Sequence, residues 1–296
     1  GKYFRNAESA LYCIFIQYKI QRPKTFIQSV ASHRPPDMPY AELHCLSCYS
    51  FLRGASHPHE LVERAAELGY SALAITDECS LAGVVKAHVA AKEVGIKLVI
   101  GSELVLEEGL RLLALVPSRA AYSELSGLVS MARRRSPKGE YRVTLRDVIF
   151  HLKRCLLIWL PREASASDRA YGLQLARLCK NRVWLGITHL LGNDEINRYQ
   201  LLYQLADELG LPMVACGNVQ MHCANRKSLH DVFTALRHNT SIARLGRRRM
   251  ANSQQHLRSL DKLQRLYPPA LLAETLHIAG LCNFSLDELR YEYPEE

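Results

Sequence analysis

The chain has 296 residues, 48% of them apolar and 23% charged, and its 38 Lys and Arg against 29 Asp and Glu leave a net charge of +9. This composition excludes collagen-like, low-complexity and wholly disordered chains, and allows one large α/β domain or two small ones, each able to bury a core. The positive charge suits a polyanionic partner, although a basic surface with no nucleic-acid role would give the same balance.

Residues 1–37 are irregular and close on Arg34-Pro35-Pro36-Asp37, a linker-like run. From residue 38 short apolar runs alternate with amphipathic stretches. Strands are expected at Tyr40–Leu43, Ala72–Thr76, Lys97–Ile100, Arg111–Val116, Cys155–Leu160, Val183–Thr188 and Met213–Cys216. Helices are expected between them. The first opens at Ser56-His57-Pro58, with Pro at a tolerated early position and Leu61, Ala65 and Leu68 on its apolar face. Others are expected at Leu81–Val94, Arg119–Arg135, Asp168–Lys180, Asp194–Leu209 and Leu229–Arg237. Near-continuous apolar strands in βα repetition predict a parallel sheet covered by helices, as a barrel or a doubly wound sheet. Past Arg237 the pattern changes. Gln255–Leu266 and Ala270–Cys282 read as helices with no strand between them, so 38–239 is expected to be the βα domain and 240–296 a helical appendage.

The nine cysteines are odd in number and irregularly spaced, and most lie in apolar runs, as reduced cytosolic thiols do. Cys45-x₂-Cys48 has zinc or redox spacing, but a single pair is read as ordinary thiols. The apolar stretch Leu11–Ile16 is too short to span a bilayer, and no cleavage site follows it, so a cytoplasmic protein with no membrane partner is expected. The chain starts on Gly-Lys and ends on Glu-Glu, and a longer parent protein is expected.

Polar residues gather just past the strand ends: His44, then Asp77 and Glu78, Glu103, His189, then Asn218 and Gln220. In parallel α/β folds this rim is where sites form. Imidazoles and carboxylates there suit Zn or Mn, whereas turn and capping roles are the plain alternative, preferred for Asp77.

The run Glu42-Leu43-His44-Cys45-Leu46 through Arg53-Gly54, with Thr76-Asp77 and Gly101-Ser102-Glu103, resembles the motifs of the PHP (polymerase and histidinol phosphatase) domain. The form it resembles is that of the bacterial error-prone polymerases of the DNA polymerase III alpha-subunit family. Leu266-Tyr267-Pro268-Pro269-Ala270 and Phe284-Ser285-Leu286-Asp287 extend the likeness toward the end. The resemblance implies a distorted (β/α)₇ barrel with a C-terminal helical part and a metal site at its rim. It also implies a parent that synthesises DNA with Mg in replication, repair and damage-induced mutagenesis. DNA, the palm and thumb domains of that parent and other mutagenesis proteins are the implied partners.

Of the implied ligands only His44, Glu103 and His189 are in place. Leu46 replaces a second imidazole, Arg53 an aspartate, Glu78 a histidine, and Asn218 and Gln220 a D-x-H pair; no His lies between 89 and 150. Leucine cannot ligate, and arginine brings a fixed positive charge. A multi-metal phosphoesterase holds ions about 3.5–4 Å apart with bridging carboxylates. The set His44, Glu78, Glu103 and His189 is therefore read as vestigial, holding at most one Zn or Mn ion weakly. Arg53 is expected to pair with Glu78 or Glu103 instead. Arg247-Arg248-Arg249 is the candidate DNA contact, ahead of Arg133-Arg134-Arg135, which a helix end explains as well. The chain has no Asp-x-Asp for two-metal polymerisation and no Gly-rich phosphate loop of the GKS type. Two other readings stand: a free-standing metal-dependent phosphoesterase, and a truncated non-catalytic interaction module.

Overall fold

The computed structural model describes residues 38–192 and 195–289, which belong to one compact unit; the expectations for residues 1–37 and for the last residues lie outside the described residues. Seven strands form one sheet in chain order: β1 (Ala41–Glu42), β2 (Ala72–Ile75), β3 (Lys97–Val105), β4 (Arg111–Leu115), β5 (Leu156–Trp159), β6 (Val183–Ile187) and β7 (Met213–Ala215). The sheet curls until its edges meet. The N–H of Leu46 donates to the carbonyl of Val219 at 2.8 Å, and that of Val219 to the carbonyl of His44 at 2.9 Å. The result is a distorted (β/α)₇ barrel.

The sheet is not wholly parallel. β4 pairs antiparallel with both β3 and β5, in the register Glu103↔Leu113 and Leu113↔Ile158. Only Leu106–Leu110 joins β3 to β4, which is too short for a crossover helix. The chain must turn back, and β4 therefore begins at the rim instead of ending there.

The helices on the outside are α1 (Pro58–Glu67), α2 (Val84–Val94), α3 (Arg119–Arg134), α4 (Leu145–His151), α5 (Ala166–Leu178), α6 (Glu195–Leu209) and α7 (Lys227–Arg237). Several are bounded by local chemistry. His57 and Glu60 form a capping box before Pro58, and Thr144 and Asp147 do the same for α4. Ser118 caps α3, and Gly95 ends α2 in the left-handed conformation at φ 73°. Leu61, Val62 and Ala65 of α1 and Leu125, Leu128 and Ala132 of α3 turn inward, because positions three and four apart share a helix face.

Two cores result. One lies between sheet and helices, around Leu73, Leu112, Leu157, Leu185 and Leu205. The other fills the barrel with Ala41, Val99, Leu113, Ile158, Trp184 and Val214. The C-terminal helices α8 (Leu260–Leu266) and α9 (Pro269–Leu281) are present as expected, and α9 is built into the barrel. Ile278, Ala279 and Cys282 join the inner core, Thr275 Oγ1 accepts the Ala41 N–H at 3.2 Å, and Glu274 accepts the Trp184 Nε1–H at 2.7 Å. The end of the βα pattern near 239 is thus not a break in packing. No helix among the described residues is long and apolar enough to cross a membrane.

Candidate site at the barrel rim

Glu103 is the centre of the rim. It lies at the carboxyl end of β3, fully buried. His44 Nε2 lies 2.6 Å from its Oε2, Arg111 Nη2 donates to the same oxygen at 2.8 Å, and Arg53 Nη1 donates to Oε1 at 2.8 Å. Arg53 Nη1 also bonds Glu78, whose other oxygen accepts from Tyr141 Oη–H at 2.8 Å. Arg53 was expected to pair with Glu78 or Glu103, and it takes both carboxylates at once.

Local structure aims these groups. Gly54 follows Arg53, and a Cβ there would lie 1.9 Å from the Ser47 carbonyl oxygen, so only glycine lets the first loop fold back. Asp77 holds that loop down. It accepts the Ser47 N–H at 2.8 Å, the Ser47 hydroxyl at 2.7 Å and the Ser50 hydroxyl at 2.6 Å. It is therefore no helix cap, and α2 begins at Gly83 without a side-chain cap. The capping expectation fails because the serines of the loop after the neighbouring strand β1 take the carboxylate. Burial pushes the Asp77 carboxyl up, against the pull of those serine bonds.

The charges follow from burial and pairing. Burial works against the Glu103 carboxylate, but the His44 bond and the Arg111 and Arg53 charges outweigh it and hold its carboxyl well below the usual range. Burial lowers the His44 pKa more than Glu103 raises it, so the imidazole is neutral at pH 7. His44 then donates through Nε2, and its buried Nδ1 is left without a hydrogen-bond partner. Burial opposes the Arg53 charge, yet Glu103 and Glu78 raise its pKa further.

His189 does not join this group. Its ring lies 3.8 Å from that of Tyr199 and 4.8 Å from that of Tyr267, centroid to centroid. The alternation along β6 explains this. Thr188 faces the rim cavity, so the next residue faces the helices. Burial, with the charges of Arg258 and Arg198, lowers the His189 pKa to about 3. Gln220 is also turned away, its Oε1 2.8 Å from His230 Nε2. Leu46 is fully buried, in the place of an imidazole.

Among the described residues no three His, Cys, Asp or Glu side chains are grouped to hold a metal ion. The donor set does not fit one either. Both Glu103 oxygens and the His44 Nε2 are spent within the network, and two guanidiniums stand where a cation would be repelled. Of His44, Glu78, Glu103 and His189, the two carboxylates meet through Arg53, His44 joins them at Glu103, and His189 stands apart.

Other candidates resolve into structure. Cys45 is buried, and Cys48 is half-buried with its sulfur 3.2 Å from His57 Nδ1; the eight described cysteines are free. Arg133 donates to the carbonyls of Cys79 and Glu78, each at 3.2 Å, and Arg135 pairs with Asp147. Arg247, Arg248 and Arg249 are all exposed, and Arg249 Nε donates to Asp231 at 2.8 Å. Sequence reasoning missed Arg111, Tyr141, Arg162 and Arg198 at the rim.

A curled seven-stranded sheet with histidine, carboxylates and arginines at its carboxyl rim is a PHP-type barrel, and residues 42–159 match the PHP domain. Residues 42–159 form a PHP domain of the kind that error-prone DNA polymerases carry. Over 259 residues it is 51% identical to the error-prone DNA polymerase of Saccharophagus degradans, and over 259 residues 51% identical to that of Teredinibacter turnerae; each match covers 88% of this chain. The chain spans about a quarter (25%) of the length of these relatives. A solved amidohydrolase structure from Chromobacterium violaceum matches at 15% identity, over 62% of this chain and 88% of its own, with a TM-score of 0.49, too loose a likeness to argue from.

Proposed function

We propose that this chain is the PHP portion of an error-prone DNA polymerase acting in replication and damage-induced mutagenesis, and that the portion itself is a non-catalytic scaffold. The observation that carries the second half is the occupancy of Glu103: His44, Arg53 and Arg111 take both of its oxygens in a fully buried position. The identity with error-prone polymerases over 88% of the chain supports the first half. Mg would serve the palm of the parent, not this rim. Neighbouring parts of the parent are the partners of the scaffold. Arg247 and Arg248, exposed beyond the barrel, are the contacts to the DNA backbone, and Arg249 positions that segment through Asp231.

The test has two arms. Metal analysis of the purified chain is expected to find less than stoichiometric Zn and Mn, with no phosphate released from a nitrophenyl ester. In the full-length parent, Glu103→Ala is expected to lower the amount of folded protein, while primer extension per folded molecule stays unchanged. Ester hydrolysis abolished by His44→Ala would sink the scaffold reading in favour of a metal-dependent phosphoesterase.

A further inference from the structure

Helix α7 is amphipathic with its faces reversed. Elsewhere large apolar side chains turn inward, such as Leu61 and Val62 of α1, Leu125 and Leu128 of α3, and Leu202 and Leu205 of α6. The side chains that α7 buries are His230, Asp231, Thr234 and Ala235. Hydrogen bonds fix this polar face. His230 Nε2 lies 2.8 Å from Gln220 Oε1, and Asp231 accepts from Lys227 Nζ and Arg249 Nε, each at 2.8 Å.

The large apolar side chains of α7 are left outside. Leu236 is 60% exposed and Val232 39%, while Leu229 and Phe233 are half-buried. Positions 229, 232, 233 and 236 follow the three-and-four spacing of one helix stripe. The turn Ile242–Arg244 packs against α7 and brings in Ile242, 41% exposed. Apolar area kept in water costs about 25 cal/mol per Å², and a clustered exposed patch marks an interaction site.

The surroundings set the charge of the occupant. Between Glu208 and Asp261 the only carboxylate is that of Asp231, which is already engaged. Arg237 ends α7 and Arg244 lies in the turn after it; among the described residues neither pairs with a carboxylate.

We propose that the outer face of α7 docks an acidic amphipathic helix of a separate protein. The apolar positions of that helix, three and four apart, lie along Leu229, Val232, Phe233 and Leu236, as ridges pack into grooves between helices. Carboxylates on its flanks meet Arg237 and Arg244. One stripe on one short helix suits one docked helix, whereas a contact between whole domains covers about 600–1,500 Å². A nucleic acid would satisfy the arginines through its phosphates and leave Val232 and Leu236 in water. Arg247 and Arg248 keep their DNA assignment and are left intact in every variant.

A fluorescent synthetic peptide of about 15 residues, with leucines three and four apart and glutamates on both flanks, is titrated against the purified chain and against the full-length parent by anisotropy. Saturable binding to both is expected, with slowed hydrogen exchange across residues 227–244. Val232→Gln with Leu236→Gln is expected to weaken binding at least about tenfold and to leave the melting temperature unchanged, since both side chains are exposed. Arg237→Glu with Arg244→Glu is expected to weaken it by a similar factor at low salt. A peptide with lysines in place of the glutamates is expected to bind this charge-reversed variant better than the original chain. No binding, equal binding of both peptides to the original chain, or binding untouched by the double Gln variant overturns the proposal. Displacement of the peptide by oligothymidylate would show a nucleic-acid surface, and binding to the chain but not to the parent would show that the parent's own chain covers α7; either result also overturns it. None of these results bears on the scaffold reading of the rim.

Discussion

The two ends of the barrel are closed by opposite means. At the amino end Ile278, Ala279 and Cys282 of α9 meet Ala41, Val99 and Trp184, an apolar plug. At the carboxyl end Glu103, Arg53, Arg111 and His44 meet as a buried ionic cluster. The apolar plug is stabilised by area removed from water, about 25 cal/mol per Å². Charge in the second closure must first be desolvated, and well-packed apolar residues often do as well or better in such a place. The ionic end is thus not explained by stability alone.

The sharpest way to break this comparison is Glu103→Gln. It leaves Arg111 without a carboxylate and Arg53 with Glu78 alone, and costs about 3–5 kcal/mol, read as a fall in the urea midpoint with little change in slope. A loss under about 1 kcal/mol would mean that water reaches the cluster and that the two ends do not differ in kind. Ile278→Ala at the other end is expected to cost about 2–4 kcal/mol through lost burial and the cavity left behind. At high salt that cost is expected to stay the same.

Acid should separate the ends further. His189 is neutral in the folded chain with its pKa lowered to about 3, whereas the unfolded chain takes up a proton near the ordinary 6.5. The unfolded state then binds more protons between these values, so stability falls as pH drops from 6.5 toward 3, by at most about 1.4 kcal/mol per unit. Glu103, whose folded pKa lies below its unfolded one, adds stability that is present above the ordinary carboxylate range and lost as pH falls through the lower value. Denaturant midpoints measured from pH 7 to 5 should show the first slope together with the contributions of His44 and His230, whose pKa values burial also lowers, and His189→Phe should reduce it without abolishing it. Smallest of all, Arg154→Ala removes an exposed partner of Glu124 and is expected to change stability by less than about 1 kcal/mol in a thermal melt.

All seven strands are legible from their apolar runs, because a barrel strand buried on both faces leaves few polar interruptions. Strand direction is not legible in the same way. Read as parallel, β4 would start at the amino end and put Arg111 far from the rim; the five-residue hairpin Leu106–Leu110 reverses it and delivers Arg111 to Glu103. Loop length was the available signal. Helix α4 is short and carries little periodicity, yet its Thr144-x-x-Asp147 box was there to be seen. At the site, the identities of Arg53, Glu78 and Glu103 predicted an ion-pair network, since opposite charges at one rim have few other partners; the place of His44 in it was not foreseen. His189 could not be placed, because a one-residue difference in register decides which side of β6 it faces. Arg162 and Arg198 come from a loop and a helix whose convergence is purely tertiary.

The position of α9 also bears on how the chain is made. Until Pro269–Leu281 has been synthesised, the backbone of Ala41 and the flank of β7 have nothing to pack against at the amino end. A nascent chain stopped short of that helix would show open strand margins, which are templates for pairing with another copy. Shortened versions of the protein should therefore be cut after α9, never before it, if they are to stay in solution.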